Sequence, residues 1–222
     1  MTHEQTDDNA VEPPAVEPPA VEPNAVEPPA TSAIAWTEGA WTTEPVAATL
    51  DGEALRVTAA EGSDAWRHTA YGFVHDTEHA LVAPFPVRSA MEVEFRADFT
   101  AEFDQAGLFV RADHEHWVKS GVEFADGVLN LGAVVTAVRS DWSVAPVPEW
   151  SGRRVRVRMS RGEDALTLRA AADDEPFRLV RVLPFDGSRA ASAGPFVCAP
   201  TRAGLEVVFT AWRRTAADAT LH

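Results

Sequence analysis

The sequence predicts an all-β fold, two stacked antiparallel sheets in a jelly-roll-like sandwich, preceded by a proline-rich tail. Three observations carry that prediction. From about Ile34 onward apolar residues recur with period two, turn residues interrupt them at short intervals, and helical periodicity is almost absent.

The tail comes first in the chain. Residues 10–30 read AVEPPAVEPPAVEPNAVEPPA, a five-residue unit repeated four times. Its prolines fix φ and remove backbone donors, so residues 1–32 are expected to form a disordered, extended tether with no core to bury. The period is too short for a solenoid unit. The tail holds seven acidic residues and no Lys or Arg, nearly half of the net charge of −15. The folded domain is expected over residues 33–215, with a short C-terminal tail at 216–222.

Charge and composition exclude several classes of function. No basic stripe exists to release counterions from phosphates, which argues against nucleic acid as a partner and favours neutral or cationic ones. The N-terminus MTHEQTDDN has no basic region followed by an apolar one, and nowhere do eighteen apolar residues run together. Neither export nor membrane insertion is therefore signalled, and a cytoplasmic location is expected. The single cysteine, Cys198, agrees with a reducing compartment.

Within the domain, MEVEFRADF puts Met91, Val93, Phe95, Ala97 and Phe99 on one face and Glu92, Glu94, Arg96 and Asp98 on the other. RRVRVRMS does the same, with Val155, Val157 and Met159 inward and Arg154, Arg156 and Arg158 outward. DALTLRAA, FRLVRVL and GLEVVFTAW supply further strands, and roughly ten to fourteen strands fit this length.

The stretch DQAGLFVRADHEHWVKSGVEF, residues 104–124, reads as a hairpin. Its arms turn Leu108, Val110, Val118, Val122 and Phe124 inward, and ADHEH is a solvated loop. His114 and His116 have no Cys or His partner at a metal spacing, and neither do His68, His75 and His79, so no metal and no cofactor are expected. A two-residue Asp126-Gly127 turn then sets Gly121 opposite Gly132 and Lys119 opposite Val134, and pairing Arg111 with Trp117 sets Gly107 opposite Gly121. Gly107, Gly121 and Gly132 would lie in one row across three strands, the floor of a groove. Gln105, Glu123 and Asn130 stand on one side of it, Phe109, Lys119 and Val134 on the other, with Arg111 and Trp117 beyond. The competing structural account is that the glycines admit a loop or a large ring, and that Lys119 with Glu123 is a surface ion pair. Lys119 is the only lysine beside eighteen arginines, which weighs toward a shaped site. On outward parity Lys119, Glu123 and Gln105 should be reachable without opening the core, and Lys119→Ala should change stability by no more than about 0.5 kcal/mol.

Four blocks, WRHTAYGFVHDTEHAL, DQAGLFVRADHEHWVKSGVEF, LGAVVTAVRSDWS and GPFVCAPTRAGLEVVF, resemble the regulation-of-enolase-type family, a bacterial and fungal domain of unknown function with a concanavalin A-like lectin/glucanase sandwich. The resemblance runs from about Trp36 to Trp212. It places Trp66, Tyr71, Gln105, Lys119, Glu123, Ser140, Asp141 and Trp142 in the family's motif blocks. Sugar binding follows only by analogy with the superfamily.

The leading expectation is a non-catalytic binding module for a carbohydrate or related small polar metabolite. A glycan-cleaving enzyme is the first rival, but Glu123 has no obvious second carboxylate in the groove, and Glu92 with Glu94 is better explained as a charged face. Cys198 lies between two prolines with no local histidine and is not expected to be a nucleophile. A regulatory protein partner is the third class. The sequence specifies no oligomeric state.

Overall fold

The computed structural model describes residues 31–97 and 99–221, so the expectation for the repeat at 10–30 lies outside the described residues. In chain order the strands are β1 (Ser32–Ala33), β2 (Ala40–Trp41), β3 (Ala47–Asp51), β4 (Ala54–Thr58), β5 (Ala65–Arg67) and β6 (Val74–Asp76). There follow β7 (His79–Pro84), β8 (Ser89–Ala97), β9 (Gln105–Arg111), β10 (His116–Ala125), β11 (Val128–Ala137) and β12 (Arg139–Pro146). The last are β13 (Val155–Arg161), β14 (Ala165–Ala172), β15 (Arg178–Pro184), β16 (Ser192–Cys198) and β17 (Glu206–Ala216). The excess over the expected number comes from two- and three-residue strands such as β1, β2, β5 and β6, too short to show alternation.

Two antiparallel sheets form the sandwich. One runs β15-β14-β13-β8-β17-β4-β3 with β1 beside β17, the other β12-β11-β10-β9-β16-β7-β2. Between them lies the main core, where Met91, Val93, Phe95, Val155, Val157 and Met159 meet Leu108, Val110, Val118, Val122, Leu131 and Val197. Period two therefore places these residues as the sequence implies. Among the described residues no helix is long and apolar enough to cross a membrane.

The outward face of the first sheet is an ion-pair lattice. Arg213 and Arg158 reach Glu92 at 3.3 and 3.7 Å, and Arg154 reaches Glu94 at 3.8 Å. Glu92 and Glu94 are thus neutralised structural carboxylates. At the C-terminal end, β17 stops at Ala216 and Asp218 then accepts from Arg158 at 2.9 Å and Arg169 at 3.0 Å.

The loop between β9 and β10 is braced by its own residues. Residues 112–115 close the β9–β10 hairpin, and Asp113 accepts from the backbone N–H of Glu115 at 2.8 Å and lies 2.9 Å from His116 Nδ1. The His116 contact, with those backbone donors, holds the Asp113 carboxyl down at about 2. Among the described residues no group of three or more His, Cys, Asp or Glu is placed to hold a metal ion.

Candidate functional site

β10 and β11 pair in the register that the Asp126-Gly127 turn dictates, and β9 pairs with β10 in the register set by Arg111 opposite Trp117. Both turn residues have positive φ, 55° and 75°, as a type I′ turn requires. Gly121 stands opposite Gly107 on one side and Gly132 on the other, Lys119 opposite Phe109 and Val134, and Glu123 opposite Gln105 and Asn130. The row continues to Phe196 of β16 and Val144 of β12.

The row is not an open floor. A Cβ on Gly121 would lie 2.7 Å from the Gly107 Cα, and one on Gly132 would lie 2.6 Å from Val144 Cγ1. These glycines answer to neighbouring strands of the same sheet approaching closely, which is the structural account of them. Above Gly121 and Gly132 remains only a space of about 20 Å³ that Phe196 and Trp142 help to enclose.

The outward face of the sheet is covered in part by the β5–β6 ribbon. Trp66, Phe109, Trp117, Val134, Phe196 and Cys198 make a second, smaller apolar cluster beneath it. The Arg67 N–H donates to Ser140 Oγ at 2.9 Å, and its guanidinium reaches Asp76 at 3.0 Å and Glu115 at 3.3 Å, tying ribbon to sheet. His68 and Ala70 take positive φ, 63° and 61°, in the turn that carries Tyr71 outward.

Where the ribbon ends, a cavity of about 300 Å³ opens, lined by Asp64, Trp66, Tyr71, Phe73, His75, Phe103, Gln105, Lys119, Glu123 and Trp142 among others. Its size falls at the lower end of small-ligand pockets. One wall is aromatic: Trp66 meets Tyr71 at 5.9 Å and Trp142 at 6.5 Å, and Tyr71 stacks on Phe73 at 5.3 Å. Tyr71 is 63% exposed.

The opposite wall is polar. Lys119 is 3% exposed, so it is not the freely reachable side chain that parity suggests. Its Nζ donates to Asp64 Oδ1 at 2.7 Å and to Gln105 Oε1 at 2.8 Å, and Asp64 Oδ1 also accepts from the Ala65 N–H at 2.8 Å. Burial is the largest single influence and works against the ammonium, yet the surrounding negative groups, Asp64 first through its charge and its hydrogen bond, together outweigh it, and the Lys119 pKa stands above its ordinary value. No surface pair of Lys119 with Glu123 forms. Glu123 is 9% exposed, and its Oε1 has no hydrogen-bond partner among the described residues. Burial, reinforced by Asp64 and Glu102 and opposed by Lys119, raises its carboxyl to about 7.

That shift has a stability consequence. A carboxyl whose folded pKa lies above its ordinary 4.5 binds protons better folded than unfolded, so its contribution is present below about 4.5 and lost as pH rises to about 7. Glu123→Gln is therefore expected to raise stability at pH 8 by on the order of 2 kcal/mol and to flatten the fall between those pH values. Urea denaturation at several pH values measures it; an unchanged profile would show that Glu123 is solvated.

Of the residues expected at the site, the fold gathers Gln105, Lys119, Glu123, Trp66, Tyr71 and Trp142 around the cavity. The others lie elsewhere. Trp117 is buried and stacks on Phe109 at 5.5 Å. Asn130 donates back to the carbonyls of Ala125 and Val128, bracing the hairpin. Asp141 pairs with Arg181 at 3.1 Å, and Arg111 ends β9 outside the lining. Ser140 holds Arg67 and Thr136. Sequence reasoning missed Asp64, Phe73, His75 and Phe103. Cys198 is fully buried and burial pushes its thiol well up, which removes it as a nucleophile.

The two packed sheets define an all-β antiparallel sandwich. The chain belongs to the family described as "Protein of unknown function (DUF1349)", which it matches over residues 41–217. It is 37% identical over 166 residues to Regulation of enolase protein 1 of Saccharomyces cerevisiae, covering 74% of this chain and 83% of that protein. A crystal structure of a functionally unknown protein from Saccharomyces cerevisiae superposes with a TM-score of 0.78 at 32% identity, covering 82% of this chain and 98% of that one. A xylan β-1,4-xylosidase from Bacillus halodurans C-125 shares the fold at a TM-score of 0.63 and 14% identity, over 89% of this chain but 41% of the enzyme.

Proposed function

We propose that the protein is a non-catalytic binding module that takes a carbohydrate or related small polar metabolite into the cavity beside the β5–β6 ribbon, with a regulatory role in carbohydrate metabolism. The carrying observation is the cavity of about 300 Å³ whose lining combines Glu123, a carboxyl whose Oε1 has no hydrogen-bond donor among the described residues, with the rings of Trp66, Tyr71 and Trp142. Rings supply a stacking surface for the apolar face of a small polyol, and Glu123 and Gln105 supply the directional contacts. Similarity to Regulation of enolase protein 1 supports the regulatory part of the reading.

A second reading has one observation in its favour. Asp64 lines the cavity with Glu123, providing the second carboxylate that a glycan-cleaving enzyme needs. Against it, Asp64 already accepts from Lys119 and from the Ala65 N–H, which leaves it a poor base. The test is a panel of glycans and small metabolites titrated into the full chain by calorimetry, with product analysis on the same mixtures. Saturable binding without turnover is the expected result. Turnover of any glycoside would replace the module with the enzyme, and the absence of any binding would sink both.

A further inference from the structure

The charges inside the cavity narrow the ligand, and this inference rests on the reading of the cavity as a binding site. Its one ammonium is already engaged: Lys119 Nζ lies 2.7 Å from Asp64 Oδ1 and 2.8 Å from Gln105 Oε1. Glu123, nine-tenths buried on the same face of β10, forms no ion pair among the described residues, and its Oε1 has no donor. An anionic ligand such as a phosphorylated sugar would meet Asp64 and Glu123 with only that engaged ammonium to offset them.

The rings opposite are arranged for a positive charge. Trp66 stands edge-on to Tyr71 at 62° and to Trp142 at 86°, so these rings present faces in crossed directions. Tyr71 and Trp142 are exposed, at 63% and 40%, and a cation over such faces is attracted by their quadrupoles. We propose that the ligand carries a cationic nitrogen, a protonated amine or a quaternary ammonium, seated between the Glu123 carboxylate and the faces of Trp66, Tyr71 and Trp142.

The groups around Glu123 fix the pH behaviour. Lys119 stands on its own strand; Asp64 and Glu102 approach from the loops before β5 and after β8. Gln105 and Asn130 flank it on β9 and β11, His75 of β6 lines the same cavity, and Cys198 of β16 is held neutral by burial. Glu123 titrates at about 7, so a cation is bound best when it is ionised, above that pH.

The experiment titrates the full chain with N-methylglucamine, choline, glucose and glucose 6-phosphate at about pH 8 and about pH 5.5, reading tryptophan fluorescence and heat. N-methylglucamine or choline, both cationic at the two pH values, is expected to bind roughly tenfold or more tighter than glucose, with glucose 6-phosphate weakest. The better of the two assigns amine or quaternary ammonium. Its affinity should fall roughly tenfold or more at the lower pH, and Glu123→Gln should remove both the preference and most of that fall. Should that variant not fold, Tyr71→Ala, at an exposed ring, should weaken the cation more than glucose. Glucose binding as tightly as the cations at both pH values overturns the inference and leaves the binding module standing. Binding of none of the four probes overturns both.

Discussion

Gly121→Val is expected to destabilise the protein by about 3 kcal/mol or more, seen as a large drop in the urea midpoint and in soluble yield. The cause is the closeness of β9 and β10 at the Gly107–Gly121 pair. A Cβ on Gly121 would lie 2.7 Å from the Gly107 Cα and 2.9 Å from the Ala106 carbonyl carbon, atoms that are backbone and cannot rotate aside. Both strands are central, with β16 beyond one and β11 beyond the other, so relief would have to pass through the whole sheet. The discriminating variant is Gly121→Ala. If the glycines merely cleared space for a ligand, one methyl would be tolerated; with the backbone as neighbour, alanine should already cost about 2 kcal/mol. A Gly121→Ala variant within about 0.5 kcal/mol of the parent would restore the open-groove account. Gly132→Ala should cost less: its nearest obstacle is also backbone, the Ser143 carbonyl oxygen, but that atom lies with Val144 on the edge strand β12, which can shift outward.

The same pair shows what was legible in the sequence. Alternation fixes which face each residue of β9, β10 and β11 occupies, and the Asp126-Gly127 turn fixes the register of β10 with β11, because both properties are local; the β9–β10 register rests on pairing Arg111 with Trp117 across a longer loop. What covers a face is not local. Asp64 lies 55 residues before Lys119, and the ribbon that brings it there has strands of three residues, Ala65–Arg67 and Val74–Asp76, joined through positive-φ His68 and Ala70. No periodicity marks such a ribbon. Its packing turns an apparently outward lysine into a buried one and supplies Asp64, Phe73 and His75 to the cavity. Trp66, Tyr71 and Trp142 were assigned through the family resemblance alone; composition and spacing did not separate them from core aromatics.

Lys119→Met is expected to cost about 3 kcal/mol, against the small change that outward parity implied. Met fills the volume of the lysine stem, so the loss is electrostatic. Without the ammonium, Asp64 keeps only the Ala65 N–H at 2.8 Å and the longer Gln105 contact at 3.5 Å, in a place where its side chain is 19% exposed. Glu123 loses at the same time the one neighbouring charge that favours its ionised form, so it should titrate higher still. The pair gives its own control. Asp64→Asn with Lys119→Met should recover a large part of the loss, since two neutral partners replace an unpaired buried carboxylate, and the double-mutant cycle should return a coupling of about 1–3 kcal/mol. Lys119→Arg should rescue only in part, because a guanidinium is bulkier than the ammonium and this position is 3% exposed. The sign with pH follows from two groups: the lysine's own contribution is complete below its ordinary 10.5 and fades only above that, while Glu123, deprived of the Lys119 charge, makes the cost of Lys119→Met grow as pH rises through about 7. A loss below about 0.5 kcal/mol, or full stability in Lys119→Met alone at neutral pH, would mean that Asp64 is served by solvent and that the cavity's polar wall is open rather than built.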